Sequence, residues 1–186
     1  MKLVSMLMFL PLVANAATSF TGCSIPQQSQ LNAAISAAQS YISAASAYID
    51  SHNSATPRYT TWFGTFTASR HGAVASIFGR LKWNNLASFT YDCSTCHEPN
   101  EYAYVYPNQF GKIYLCGSFW RAPLTGTDSK AGTLISQAST FTQNGGAEAY
   151  DFSQKGCKHL ANVNPEGAVQ NADNYQYFAE NNPPLS

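Results

Sequence analysis

Charge is scarce in this chain: Asp, Glu, Lys and Arg make up 11% of 186 residues, with ten basic side chains against ten acidic ones. A balance so thin excludes the basic field that holds nucleic acid or anionic lipid. Long apolar runs are missing too. The stretch from Leu3 to Val13 has no successor, and it is too short to cross a bilayer comfortably. No internal repeat or linker interrupts the chain. Histidine is limited to four residues. His52, His71, His97 and His159 show no metal-ligand spacing with one another, so each reads as a hydrogen-bonded surface or core residue.

What is present begins with Lys2, the apolar run and the small-residue site Ala14-Asn15-Ala16, together the pattern of a secretory signal peptide over residues 1–16. The mature chain is expected to start near Ala17 and to be secreted. Residues 17–186, about 170 of them, fit one domain with a core large enough to fold alone. Loss of Lys2 leaves nine basic residues (ten minus one) against ten acidic. The many tyrosines and asparagines suggest an uncharged, hydrogen-bonding surface.

From Gln27 to Ser51 the residues Leu31, Ile35, Ala38, Ile42, Ala45 and Ile49 step by four and three, which places one apolar stripe on a long scaffold helix. A second helix is predicted over Ala68 to Leu86, after a turn at Trp62-Phe63-Gly64. Tyr102, Tyr104, Tyr106, Ile113, Tyr114 and Leu115 favour strands, with Pro107-Asn108 and Gly111 supplying the turn, which predicts a small antiparallel sheet. Three further helices are predicted at about Lys130 to Asn144, Ala147 to Asn162 and Pro165 to Glu180. Gly145-Gly146 ends the first and lets the chain reverse.

Five cysteines leave one over. In an oxidising compartment four of them read as two disulfides, although four cysteines allow three arrangements and spacing alone does not choose. Cys93-Ser94-Thr95-Cys96-His97 also matches the c-type haem attachment signature, but nothing else suggests a haem pocket.

The segment Gly132-Thr133-Leu134-Ile135-Ser136-Gln137-Ala138-Ser139-Thr140-Phe141, followed by Gly145-Gly146-Ala147-Glu148-Ala149-Tyr150-Asp151-Phe152-Ser153, is laid out like the active-site helix and turn of a zinc peptidase. Arg58-Tyr59-Thr60-Thr61-Trp62-Phe63-Gly64, Tyr102-Ala103-Tyr104-Val105-Tyr106-Pro107-Asn108, Tyr114-Leu115-Cys116-Gly117, Gly126-Thr127-Asp128-Ser129 and Asn171-Ala172-Asp173-Asn174 extend the pattern. From about Ser19 to the C-terminus the chain resembles the aspzincin, or deuterolysin-like, metallopeptidases, and among them the fungal peptidyl-Lys metalloendopeptidases. The resemblance implies an α+β, zincin-like metallopeptidase fold, mostly helical with the small antiparallel sheet. It also implies the pairs Cys23 with Cys93 and Cys96 with Cys116, leaving Cys157 alone.

In that family a His-Glu-x-x-His helix presents two zinc-binding imidazoles and a general base. Here those positions are Ser136, Gln137 and Thr140. A hydroxyl is a poor zinc donor beside imidazole, and a glutamine amide accepts no proton. The family's downstream aspartate ligand falls on Ala149, and its tyrosine on Phe152, which keeps the ring without the hydroxyl. Lysine-selective members hold the substrate ammonium with two carboxylates, of which Asp173 matches one and Gln176 replaces the other; these two are the candidate binding residues. The resemblance is read as that of a chain without the long pro-segment that many deuterolysin-like enzymes carry, which adds to the expectation of a protein with no activity to hold latent.

The expectation is therefore a secreted homologue that is not an enzyme: a pseudo-metalloendopeptidase with no catalytic or metal-ligating residue and no cofactor, using the former substrate cleft to bind peptide or protein, with no nucleic-acid or membrane partner. The alternatives are a weakly or differently active peptidase, or a structural or host-interaction protein of the extracellular space.

Overall fold

Ser24 opens the longest helix, α1 (Ile25–Ser51), with a reciprocal cap: its hydroxyl accepts from Gln27 N, while the Gln27 side chain accepts from Ser24 N at 2.9 Å. The computed structural model describes residues 18–186, so the expected signal peptide over residues 1–16 lies outside the described residues. All six residues of the sequence-derived stripe, from Leu31 to Ile49, are buried. They pack against α3 (Ala68–Trp83) and α5 (Lys130–Thr140). α3 ends three residues before Leu86, which instead enters a short 3-10 turn over Leu86–Ser88.

Short helices fill the middle and end of the chain. α2 (Pro57–Phe63), which the sequence reading took only as a turn, is capped by the Thr56 side chain. α4 (Gly117–Arg121) follows the sheet, and α6 (Gln154–Val163) is capped by Ser153, whose hydroxyl accepts from Gly156 N at 3.0 Å. Gly145 and Gly146, at φ 133° and 67°, turn the chain after α5 as expected, in conformations that favour glycine.

The predicted helix over Pro165 to Glu180 is two helices, α7 (Pro165–Gln170) and α8 (Ala172–Glu180), separated by Asn171 at ψ 122°. The predicted helix over Ala147 to Asn162 loses its first seven residues. Glu148 is drawn into a parallel bridge with Asn171, its N–H donating to Gln170 O at 2.7 Å and its carbonyl accepting from Ala172 N at 2.8 Å. Long-range main-chain bonds have outcompeted helical propensity in this segment.

The sheet is mixed rather than antiparallel. Its order is β1 (Ser19–Thr21), β2 (Thr90–Asp92), β4 (Lys112–Leu115) and β3 (Ala103–Tyr104), with β1–β2 and β2–β4 parallel and only β3–β4 antiparallel. The sequence reading found the local β3–β4 pair through its turn. It missed the parallel partners because these are brought in by crossovers, one of them the whole α1–α3 segment, and leave no local signal. Two disulfides, Cys23–Cys93 and Cys96–Cys116, fasten the sheet as the resemblance implied; both haem-signature thiols are thereby consumed. Cys157 is a buried free thiol.

α8 is locked against its neighbours by chemistry as well as packing. Arg58, buried, lies over the Phe178 ring at 4.4 Å and donates to the Phe178 carbonyl from Nε at 3.1 Å and Nη2 at 2.6 Å, placing a cation at the helix C-terminus. Trp62 stacks on Tyr177 at 5.4 Å, and Asn174 donates to the Trp62 carbonyl. The packing of α8 on α5 forms the floor of the cleft described below.

Candidate functional site

α5 and α8 run side by side close enough that a β-carbon on Gly132 would lie 2.0 Å from Glu180 Oε1. That approach brings their polar residues together. A cleft of about 560 Å³ opens above them, and Ser136, Gln137 and Thr140 from α5 and Asp173 and Gln176 from α8 all line it. Ala149 and Phe152 reach it from the segment after Gly146, and β3 contributes Ala103 and Tyr104. The seven site positions singled out in the sequence thus share one cavity.

Their chemistry is one of hydrogen-bonded hydroxyls and buried carboxyls. Ser136 Oγ donates to Asp173 Oδ1 at 2.5 Å, and Thr140 Oγ1 donates to the Ser136 carbonyl at 3.3 Å. Burial pushes the Asp173 carboxyl up to about 6, against the lowering effect of the Ser136 bond. Gln176 is buried, its amide 3.4 Å from Glu180 Oε1. Glu180 lies behind it, accepting from Ser129 N at 2.9 Å and Ser129 Oγ at 2.8 Å, and burial raises its carboxyl to about 7.

Sequence reasoning assigns no role to several participants. Asp128, in the left-handed region at φ 53°, lines the cleft and accepts from the Tyr177 hydroxyl at 2.5 Å. Glu101 and Tyr102 line it from the sheet side. Asp128 lies inside a block that the family resemblance had already marked, so a signal existed. Asn171 and Glu180 also fall in stretches that match the family pattern, but their roles depend on two helices meeting and are visible only in the fold.

The family implies zinc, and the residues here do not fit it. The Ser136 hydroxyl is spent on Asp173, Thr140 points back to its own helix, Gln137 ends in a neutral amide, and Ala149 has no donor atom. Among the described residues no three His, Cys, Asp or Glu side chains come together in a metal-holding group.

Comparison with known proteins defines the lineage. A family described as "Lysine-specific metallo-endopeptidase" matches residues 48–180. A peptidyl-Lys metalloendopeptidase of Pleurotus ostreatus is 51% identical over 168 residues, covering 90% of this chain and 99% of that protein. One of Grifola frondosa is 51% identical over 90% of this chain but only 48% of its own length, so the chain spans about half of that relative. The solved structure of a zinc peptidase from Grifola frondosa superposes with a TM-score of 0.86 at 52% identity, over 88% of this chain and 100% of that one.

These findings overturn the expectation that the chain is not an enzyme. Relatives half identical to it over nine-tenths of its length are named endopeptidases, which points to an enzyme. The physical reason is one of scope: the exchanges at Ser136, Thr140 and Ala149 bear on zinc ligation and that at Gln137 on the general base, whereas the likeness to these relatives covers the scaffold of nearly the whole chain. A family match over residues 48–180, with 51% identity to the Pleurotus protein over 90% of this chain, makes this chain a member of the lysine-specific metallo-endopeptidase family, the aspzincins.

Proposed function

We propose that this chain is a secreted member of its family that holds an extended peptide in the cleft between β3 and the α5–α8 floor, with Asp173 and Gln176 facing a lysine side chain. The observation that carries the reading is the position of β3. It is one of the two edge strands of the sheet, and its Ala103 and Tyr104 line the cleft, so the strand edge and the pocket are one surface. An extended peptide adds to such an edge through main-chain hydrogen bonds while alternate side chains enter pockets. Lysine suits the carboxyls of Asp173, Asp128 and Glu101, which line the cleft with no Lys, Arg or His among its lining residues. Gln176 supplies an amide oxygen where a second carboxylate would strengthen that attraction. Secretion is supported by the signal-peptide pattern of residues 1–16.

The test uses protein made through a secretory pathway, so that both disulfides form, and fluorescein-labelled lysine-containing peptides. Anisotropy is expected to show saturable binding that Asp173→Asn weakens about tenfold, the scale of one charge-assisted hydrogen bond. Mass spectrometry of the same mixtures scores cleavage, the activity to which the relatives' names point. Absence of saturable binding by any such peptide would overturn the reading.

A further inference from the structure

The wall of the cleft formed by residues 147–153 is fastened more firmly than its exposure explains. Besides the Glu148 bridge, the fully buried Asn171 side chain clips it from below: its Oδ1 accepts from Tyr150 N at 2.8 Å and Asp151 N at 3.2 Å, and its Nδ2 donates to the Asp151 carbonyl at 3.1 Å and Asn174 Oδ1 at 2.7 Å. Cys157 Sγ reaches the Asp151 carbonyl at 3.5 Å, and Asp151 Oδ1 in turn accepts from Ser153 N at 3.1 Å. The Tyr177 hydroxyl lies 3.1 Å from the Phe152 carbonyl.

All this order ends in side chains left in water. Phe152 is 71% exposed and Tyr150 51% exposed. Neither ring adds much to the core, so the clip does not serve the packing of those rings. A rigid backbone presenting an exposed aromatic ring is the economical form of a binding contact, because little conformational freedom remains to be lost on association. Phe152 lines the same cleft as Tyr102 and Tyr104, which come from the sheet side.

We propose that Phe152, positioned by Asn171, is a specificity-determining contact of the cleft, and that with Tyr102 and Tyr104 it takes an apolar or aromatic side chain of the bound peptide. The inference rests on the peptide-binding reading above and adds a second determinant to it, separate from the carboxyls around Asp173. A phenyl ring offers neither charge nor hydrogen bond, so a polar side chain set against it loses water without replacement, while an apolar one gains contact area and ring packing.

The experiment is a positional-scanning library of labelled hexapeptides with lysine fixed, bound to the full mature chain. Apolar and aromatic residues should be enriched about tenfold at one position relative to lysine. Phe152→Ala should abolish that enrichment while the preference for lysine, governed by Asp173, survives. Asn171→Ala should do the same; a merely structural role would instead weaken both preferences together. Because Asn171 is buried and its variant can fail to fold, the exposed Phe152→Ala and Phe152→Ser changes keep the question decidable. Saturable binding with no enrichment, or with enrichment unchanged in Phe152→Ala, overturns this inference alone. No saturable binding by any peptide overturns it together with the peptide-binding reading.

Discussion

Gly132→Ala tests whether the close approach of α5 and α8 sets the cleft floor. On an exposed helix the change would stabilise by about 1 kcal/mol, because glycine costs that much relative to alanine. Here the new β-carbon would lie 2.0 Å from Glu180 Oε1, 2.7 Å from its carboxyl carbon and 2.8 Å from Gln176 Cγ. Glu180 is not free to swing aside, since its Oε1 holds both Ser129 N and Ser129 Oγ. If it moves, those buried groups lose their partner at about 1–3 kcal/mol; if α8 moves instead, overpacking costs about 1–3 kcal/mol. Either route, combined with the displacement of Gln176, outweighs the propensity gain and leaves a net loss of about 2 kcal/mol. For a chain of this size that lowers Tm by roughly 4–8 °C, measurable by circular dichroism in non-reducing buffer. In a Glu180→Ala background the same change should cost much less, because the clashing carboxyl is gone. A Gly132→Ala protein melting at or above the parent would refute the packing argument.

Stability should depend on pH in a defined direction. Burial holds Glu180 at about 7 and Asp173 at about 6, above their ordinary values of 4.5 and 3.8, so their contribution is fully present below about pH 4 and is lost as pH rises through 6 to 7. Burial alone would raise Asp92, but hydrogen bonds from Ser94 and Thr95 bring it down to about 2, so its contribution is present above about pH 4 and lost as pH falls toward 2. Thermal melts should therefore peak near pH 4–5, and Glu180→Gln should flatten the alkaline side. Ser136→Ala removes the bond that lowers the Asp173 carboxyl, so a carbon-13 NMR titration should find that group above its parent value; an unchanged value would refute the Ser136–Asp173 bond. Replacing Cys23 and Cys93, 70 residues apart, with serine should cost about 4 kcal/mol, against about 3 kcal/mol for Cys96 and Cys116, 20 residues apart, as read from denaturant titrations.

How much of the site was legible depended on the range of the interaction. The α5 positions Ser136, Gln137 and Thr140 lie within little more than one helical turn, short enough for a motif comparison to pick out; in the structure they line one cleft with Ala149 and Phe152. Exchange of the zinc donors alone argues against an enzyme, whereas likeness to named endopeptidases over nine-tenths of the chain weighs the whole scaffold. For Glu180 and Asn171 the family pattern marks the positions but not the roles. Each acts through residues distant in the chain, Glu180 on Ser129 and Asn171 on Tyr150 and Asp151.

By itself the sequence determined the α1 stripe, the turn at Gly145-Gly146 and the local β3–β4 pairing, because periodicity and backbone sterics act over a few residues. Tertiary structure decided the mixed sheet, the break between α7 and α8 and the extended wall at 147–153. Buried main-chain groups must find partners wherever the fold supplies them. For Glu148 those partners are Gln170 and Ala172, which no local pattern announces.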